Sequence, residues 1–148
     1  MERSSGAAPP RRSGAGPRHK GADRELLAIE IERPGTGLTV LALAGELDLS
    51  TVPRLEGRLL GEAEEQGNVV VDLTLLTFID SSGIGLLIKA HRARENGAVL
   101  HTVVAPGSQV ERVFAIAGID SALPLFPERV AAIAALSTAA APKADRNG

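Results

Sequence analysis

The chain has 148 residues, 44% of them hydrophobic, yet only Phe78, Phe114 and Phe126 are aromatic, so the length favours one domain with a core of Val, Ile, Leu and Ala. Cysteine is absent and His19, His91 and His101 show no ligand spacing, which excludes disulfides, thiolate metal sites and cysteine nucleophiles and leaves no metal or resident cofactor to expect. Residues 1–22 carry five Arg or Lys against Glu2, while the remainder carries 11 basic against 17 acidic residues; an acidic body of this kind repels phosphate backbones, so no direct nucleic-acid binding is expected.

The first segment, 1–22 (MERSSGAAPPRRSGAGPRHKGA), lacks the bulky apolar residues that would offset the entropy of ordering it and is expected to be a disordered basic arm. Met1–Ser5 leads into no apolar h-region, and no apolar run approaches the ~18 residues of a membrane span, so a soluble, cytoplasmic protein without membrane contact is expected. From 23 to 136 the pattern switches between period 2 and period 3.6. Leu27, Ile29 and Ile31 alternate with Ala28, Glu30 and Glu32, Arg33–Gly37 makes a turn, and Leu38–Ala44 resumes an apolar run, which predicts a β-hairpin.

Ser50 or Thr51 is placed to cap a helix with the stripe Val52, Leu55, Leu59 and Ala63, with Pro53 in its first turn and Gly67 as its stop. A strand follows from Val69–Val71 through Asp72-Leu73 to Thr77-Phe78-Ile79, and a second helix starts at Asp80-Ser81-Ser82-Gly83 with the stripe Ile84, Leu87, Ile88 and His91, closed by Asn96-Gly97. Val99–Val104 reads as a buried strand. Ser108 with Glu111 is a capping box for a helix carrying Val110, Val113, Phe114 and Ala117, ended by Gly118. Leu123–Phe126 predicts a short last strand, Pro127 opens an Ala-rich helix through Val130, Ile133 and Leu136, and residues 137–148 are expected to be a disordered tail. The order β-β-α-β-α-β-α-β-α predicts one α/β domain: a mixed sheet of about five strands, antiparallel in the opening hairpin and otherwise largely parallel, flanked by about four helices.

One segment departs from ordinary helix chemistry. Asp80-Ser81-Ser82-Gly83-Ile84-Gly85 puts two glycines into a first turn, each costing up to about 1 kcal/mol relative to Ala. Asp80 or Ser81 serves as the N-cap. The glycines are read as baring the surface around Ser82 so that another backbone can approach its hydroxyl. Gly83-x-Gly85 lacks the third glycine of a dinucleotide fingerprint and the ending of a P-loop, and the Gly-x-Ser-x-Gly elbow of a nucleophilic serine is absent. His91 and His101 read as core or rim histidines. No catalytic set is therefore expected.

Leu43-Ala44-Gly45-Glu46-Leu47-Asp48 followed by Leu76-Thr77-Phe78-Ile79-Asp80-Ser81-Ser82-Gly83-Ile84-Gly85 resembles the STAS domain of bacterial anti-sigma factor antagonists, over about Leu26 to Leu136. Ile84 stands where the family often has Leu, and the basic arm is an addition. The resemblance implies a binding protein and not an enzyme. Its unphosphorylated form would bind an anti-sigma factor of the GHKL serine-kinase type and so free a sigma factor. Phosphorylation of the second serine, Ser82, would switch it off, and a PP2C-type phosphatase would reset it. Mg²⁺ and ATP would belong to the kinase. Asp48, Asp80, Ser81, Ser82, Gly83 and Gly85 would form the partner-facing surface. Similar domains also serve as adaptors in lipid-transport or stress-signalling assemblies, the alternative role. Independently of the family, a phosphoserine at a helix N-terminus meets the positive dipole end and amide N–H groups, so the fold is expected to tolerate it.

Overall fold

The computed structural model describes residues 26–64, 67–94 and 98–136; the arm 1–22, Asn96-Gly97 and the tail 137–148 lie outside the described residues. The opening hairpin is present as β1 (Leu27–Gly35) and β2 (Leu38–Leu47), paired antiparallel with Ile29 opposite Leu43. Then follow α1 (Val52–Glu64), β3 (Asn68–Ile79), α2 (Ser81–Arg92), β4 (Leu100–Val103) and α3 (Gln109–Ala117). A 3₁₀ turn (Ile119–Ser121), β5 (Leu125–Phe126) and a helix over 129–136, α4, complete the described residues.

The sheet order is β1-β2-β3-β4-β5, with every pair after the hairpin parallel. When the strand order never reverses, right-handed crossovers place every crossover helix on one face of the sheet. That is what the core shows. Leu55 and Leu59 of α1, Ile84 and Leu87 of α2, and Val110 and Phe114 of α3 pack with Leu41, Leu43, Val69 and Val71. The opposite face is covered by α4, whose Ala132 and Leu136 meet Val40, Val70 and Val103. Arg129 at the start of α4 bonds the buried Asp72 of β3 (Nε–Oδ2 3.0 Å) and Glu32 of β1 (Nη1–Oε1 3.0 Å), fixing the helix across strands far away in sequence.

Several local readings are corrected. Val130 does not lie on the packed stripe of α4 but is 73% exposed, and Ala132 takes the buried place. Ala117 is exposed at the end of α3, and Leu86, outside the expected stripe of α2, is buried. Ser108 caps α3 by accepting from the Glu111 amide (3.1 Å), but the Glu111 carboxylate reaches the Gly107 amide (2.6 Å), one residue beyond the usual box. Gly118 ends the helix in the left-handed region at φ 69°, as a C′ glycine should.

Candidate functional site

Two motifs 32 residues apart meet at the C-terminal ends of the interior strands β2 and β3. Leu47, the last residue of β2, is in register with Ile79, the last of β3, so the segments starting at Asp48 and Asp80 leave the sheet side by side. The Asp80 amide closes the gap by donating to the Leu47 carbonyl (3.2 Å).

Asp80 is the N-cap of α2. Its backbone is extended (φ −116°, ψ −175°), and Oδ1 accepts from the Ser82 amide (2.9 Å) and the Gly83 amide (3.2 Å). The Ser82 hydroxyl donates to the same oxygen at 2.5 Å. Burial works against the Asp80 charge, but donation from the Ser82 hydroxyl and from the Gly83, Ser82 and Leu49 amides outweighs it and holds the carboxyl below its ordinary range.

This geometry corrects three expectations. Of the two candidate caps Asp80 serves and Ser81 does not: Ser81 is exposed, and Ser82, half-buried, turns its hydroxyl to Asp80. The Ser82 and Gly83 amides are not open to a phosphate, because the Asp80 carboxylate already occupies them. The two glycines also have different roles. A Cβ on Gly83 would sit 2.8 Å from Leu47 Cγ and 3.0 Å from Ile79 Cγ1, so this glycine lets α2 approach the ends of β2 and β3. A Cβ on Gly85 would meet nothing within 4 Å. Only Gly85 bares surface.

Asp48 folds back on its own loop. Its Oδ1 accepts from the Ser50 amide (3.0 Å), the Ser50 hydroxyl (2.8 Å) and the Thr51 amide (3.2 Å). Thr51, buried, donates its hydroxyl to the Glu46 carbonyl (2.9 Å) and accepts from the Asp48 amide (2.9 Å). The expected cap by Ser50 or Thr51 is therefore replaced by an Asx-type turn on Asp48, which satisfies the chain entering α1. Leu49, 76% exposed at the crest of this loop, was not singled out by the sequence, and Thr51 was read only as a cap. A threonine needed for its buried hydroxyl carries no periodic signal.

His91, half-buried on α2, and His101, buried in β4, belong to neither of these two loops. His101 donates Nδ1–H to the Ala132 carbonyl (3.0 Å) and packs on Phe126, a core role. Among the described residues no group of three or more His, Asp or Glu could hold a metal ion, and no helix is long and apolar enough to cross a membrane.

A helix capped by Asp80, presenting a carboxylate-bound serine hydroxyl beside an Asp48 loop at the C-terminal end of a mixed five-stranded sheet, defines the class. Residues 28–132 match the family model described as STAS domain, and the chain belongs to that family. It is 37% identical over 93 residues to the anti-sigma-F factor antagonist RsfB of Mycobacterium tuberculosis, covering 61% of this chain and 74% of that one. In three dimensions it resembles an anti-sigma factor antagonist from Mycobacterium paratuberculosis (TM-score 0.69, 23% identity, 75% of this chain and 94% of that one). It also resembles the Bacillus cell fate determinant SpoIIAA in its phosphorylated form (TM-score 0.52, 26% identity, 70% and 96%).

Proposed function

We propose that this protein is an anti-sigma factor antagonist, a cytoplasmic regulator and not a catalyst, whose binding is controlled by phosphorylation of Ser82. The observation that carries the reading is the Ser82 hydroxyl, held at 2.5 Å by the Asp80 cap next to the Asp48 loop. Unphosphorylated, this surface presents a neutral hydroxyl whose proton is committed to Asp80. A GHKL-type anti-sigma factor docks there and gives up its sigma factor. Acting as a kinase, it transfers the γ-phosphoryl of ATP to Ser82 Oγ: the Oγ–P bond forms as the bond from the γ-phosphorus to the β–γ bridging oxygen breaks, ADP departs and the hydroxyl proton passes to solvent. A PP2C-type phosphatase hydrolyses the ester to reset the site.

The electrostatics support an off-switch. Phosphoserine brings about −1.5 to −2 charges, here set against an ionised Asp80 whose carboxylate already holds the first-turn amides. A partner surface fitted to the hydroxyl must then bury an unmatched dianion, at a cost on the order of 2–5 kcal/mol, which weakens binding by roughly 30-fold to several thousand-fold. The helix itself stays anchored by Ile84, Leu86 and Leu87 in the core. The test is titration of the anti-sigma factor from the same genome with Ser82→Ala and Ser82→Asp. Ser82→Ala should bind and resist phosphorylation, and Ser82→Asp should bind poorly. Undiminished binding by Ser82→Asp would refute the proposal.

A further inference from the structure

An N-cap carboxylate needs only the first-turn amides to do its work, yet Asp80 also takes the Ser82 hydroxyl. Ser82 Oγ donates to Asp80 Oδ1 at 2.5 Å. That oxygen is not free to turn away, because it also accepts from the Ser82 amide at 2.9 Å and the Gly83 amide at 3.2 Å. The backbone beneath it is fixed as well. The Asp80 amide donates to the Leu47 carbonyl (3.2 Å), the Ile84 amide donates to the Asp80 carbonyl (3.1 Å), and Gly83 lets the helix start lie against Leu47 and Ile79. A serine hydroxyl ordinarily samples three staggered positions; this one is held in the position that aims its proton at a carboxylate. No hydrogen bond of the Ser81 hydroxyl is found among the described residues, so the two neighbouring serines differ in that only Ser82 has a built-in proton acceptor.

From this we infer that Asp80 is a catalytic group carried by the substrate of the kinase reaction: it orients Ser82 Oγ for attack on the γ-phosphorus of ATP and takes up the hydroxyl proton during transfer. The inference rests on the phosphorylation of Ser82 proposed for this site. A hydroxyl is a weak nucleophile at neutral pH and is activated by an adjacent base. Protein kinases place a carboxylate against the acceptor hydroxyl for this purpose; here the carboxylate stands two residues before the serine, on the chain that is modified. As the Oγ–P bond forms and the bond from the γ-phosphorus to the β–γ bridging oxygen breaks, the electron pair of the broken bond leaves with ADP and the proton moves from Oγ to Asp80 Oδ1. The carboxylic acid then releases it to water. Although burial works against its charge, donation from Ser82 and the first-turn amides keeps Asp80 ionised, so the acceptor is in place before ATP arrives. The γ-phosphorus draws electrons from Oγ as the new bond forms, and the hydroxyl becomes acidic enough for a carboxylate of low basicity to accept its proton. The partner then has to supply ATP, Mg²⁺ and the groups that neutralise the phosphates, while the orientation and the base come with Ser82 itself.

The experiment follows phosphorylation of the full chain, Asp80→Asn and Asp80→Ser by the serine-kinase anti-sigma factor of the same genome with Mg·ATP. Single turnovers are run with increasing excess of kinase, so that the maximal transfer rate is separated from binding. Asn and Ser are both good N-caps that keep an oxygen for the first-turn amides, so the variants should melt close to the parent, and neither has a carboxylate. The maximal transfer rate should fall about 10²-fold or more, the usual contribution of a positioned base, and by more than any change in the kinase concentration that gives half of it. A parent-like maximal rate in either folded variant, with the parent phosphorylated on Ser82, would overturn Asp80 as the proton acceptor and leave the phospho-switch standing. Slower transfer that saturating kinase restores to the parent rate would overturn it too, since only binding would then have changed. A parent that takes no phosphate on Ser82 would overturn both readings.

Discussion

Gly83→Ala and Gly85→Ala should shift stability in opposite directions, although both replace a glycine in the first two turns of the same helix. Propensity alone favours either change, since alanine is better than glycine inside a helix by up to about 1 kcal/mol. At Gly85 nothing lies within 4 Å of the added carbon, so the gain is realised. At Gly83 the methyl meets Leu47 Cγ at 2.8 Å, Leu47 Cδ2 at 3.0 Å and Ile79 Cγ1 at 3.0 Å. These are not flexible ends. Leu47 is fully buried and Ile79 nearly so, and both belong to the strand ends that position the site. Overpacking a filled core costs roughly 1–3 kcal/mol, which exceeds the propensity gain. The two variants should therefore differ by roughly 1–3 kcal/mol, and with about 4 °C or more per kcal/mol for a domain of this size their melting temperatures should separate by at least about 4 °C. Thermal unfolding followed by circular dichroism measures this. If Gly83→Ala melted as high as Gly85→Ala, the close approach of α2 to β2 and β3 would be refuted.

Burial pushes His101 below its ordinary range, with nearby His91 adding to the effect and the Ala132 carbonyl opposing it. The unfolded chain then binds more protons, so stability should be complete above about pH 6.5 and fall as pH drops through the lowered value; urea midpoints at pH 7.5 and 5.0 would show the loss, and His101→Phe should reduce it. Arg129→Ala removes both bonds to the buried Asp72 and the bond to Glu32, leaving a carboxylate without its cation, and should destabilise by on the order of 1–3 kcal/mol. Equilibrium denaturation would check this, and Asp72→Asn in the Arg129→Ala background should recover part of the loss.

What could be read from the sequence was local or periodic. Asp80 as a cap, Gly118 as a left-handed stop, the Leu27–Ile31 alternation and the aliphatic runs of β3 and β4 each follow from a few neighbouring residues, and together they specify the element order. The motifs around Asp48 and Asp80 could be recognised as a pair, but not why they meet: that depends on the register of Leu47 with Ile79. What was misread needed the third dimension. Ser50 and Thr51 have good capping chemistry, yet their hydroxyls are drawn elsewhere, Ser50 to Asp48 Oδ1 and Thr51 to the Glu46 carbonyl. Gly83 looked like bared surface because a buried glycine and an open one are identical in sequence. The Arg129 clamp joins residues 57 and 97 positions apart, and no local pattern encodes that. Which way the Ser82 hydroxyl turns is fixed by a contact that the cap sequence alone does not specify, its hydrogen bond to Asp80 Oδ1.

That bond makes the most direct measurement simple to state. The full chain is incubated with its serine-kinase anti-sigma factor and Mg·ATP, and the phosphorylated residue is located by tandem mass spectrometry in the parent and in Ser82→Ala. Phosphate should appear on Ser82 alone, although Ser81 is the more exposed of the two, and Ser82→Ala should remain unmodified. Phosphate on Ser81, or phosphorylation of Ser82→Ala as efficient as that of the parent, would contradict the assignment of Ser82 as the switch.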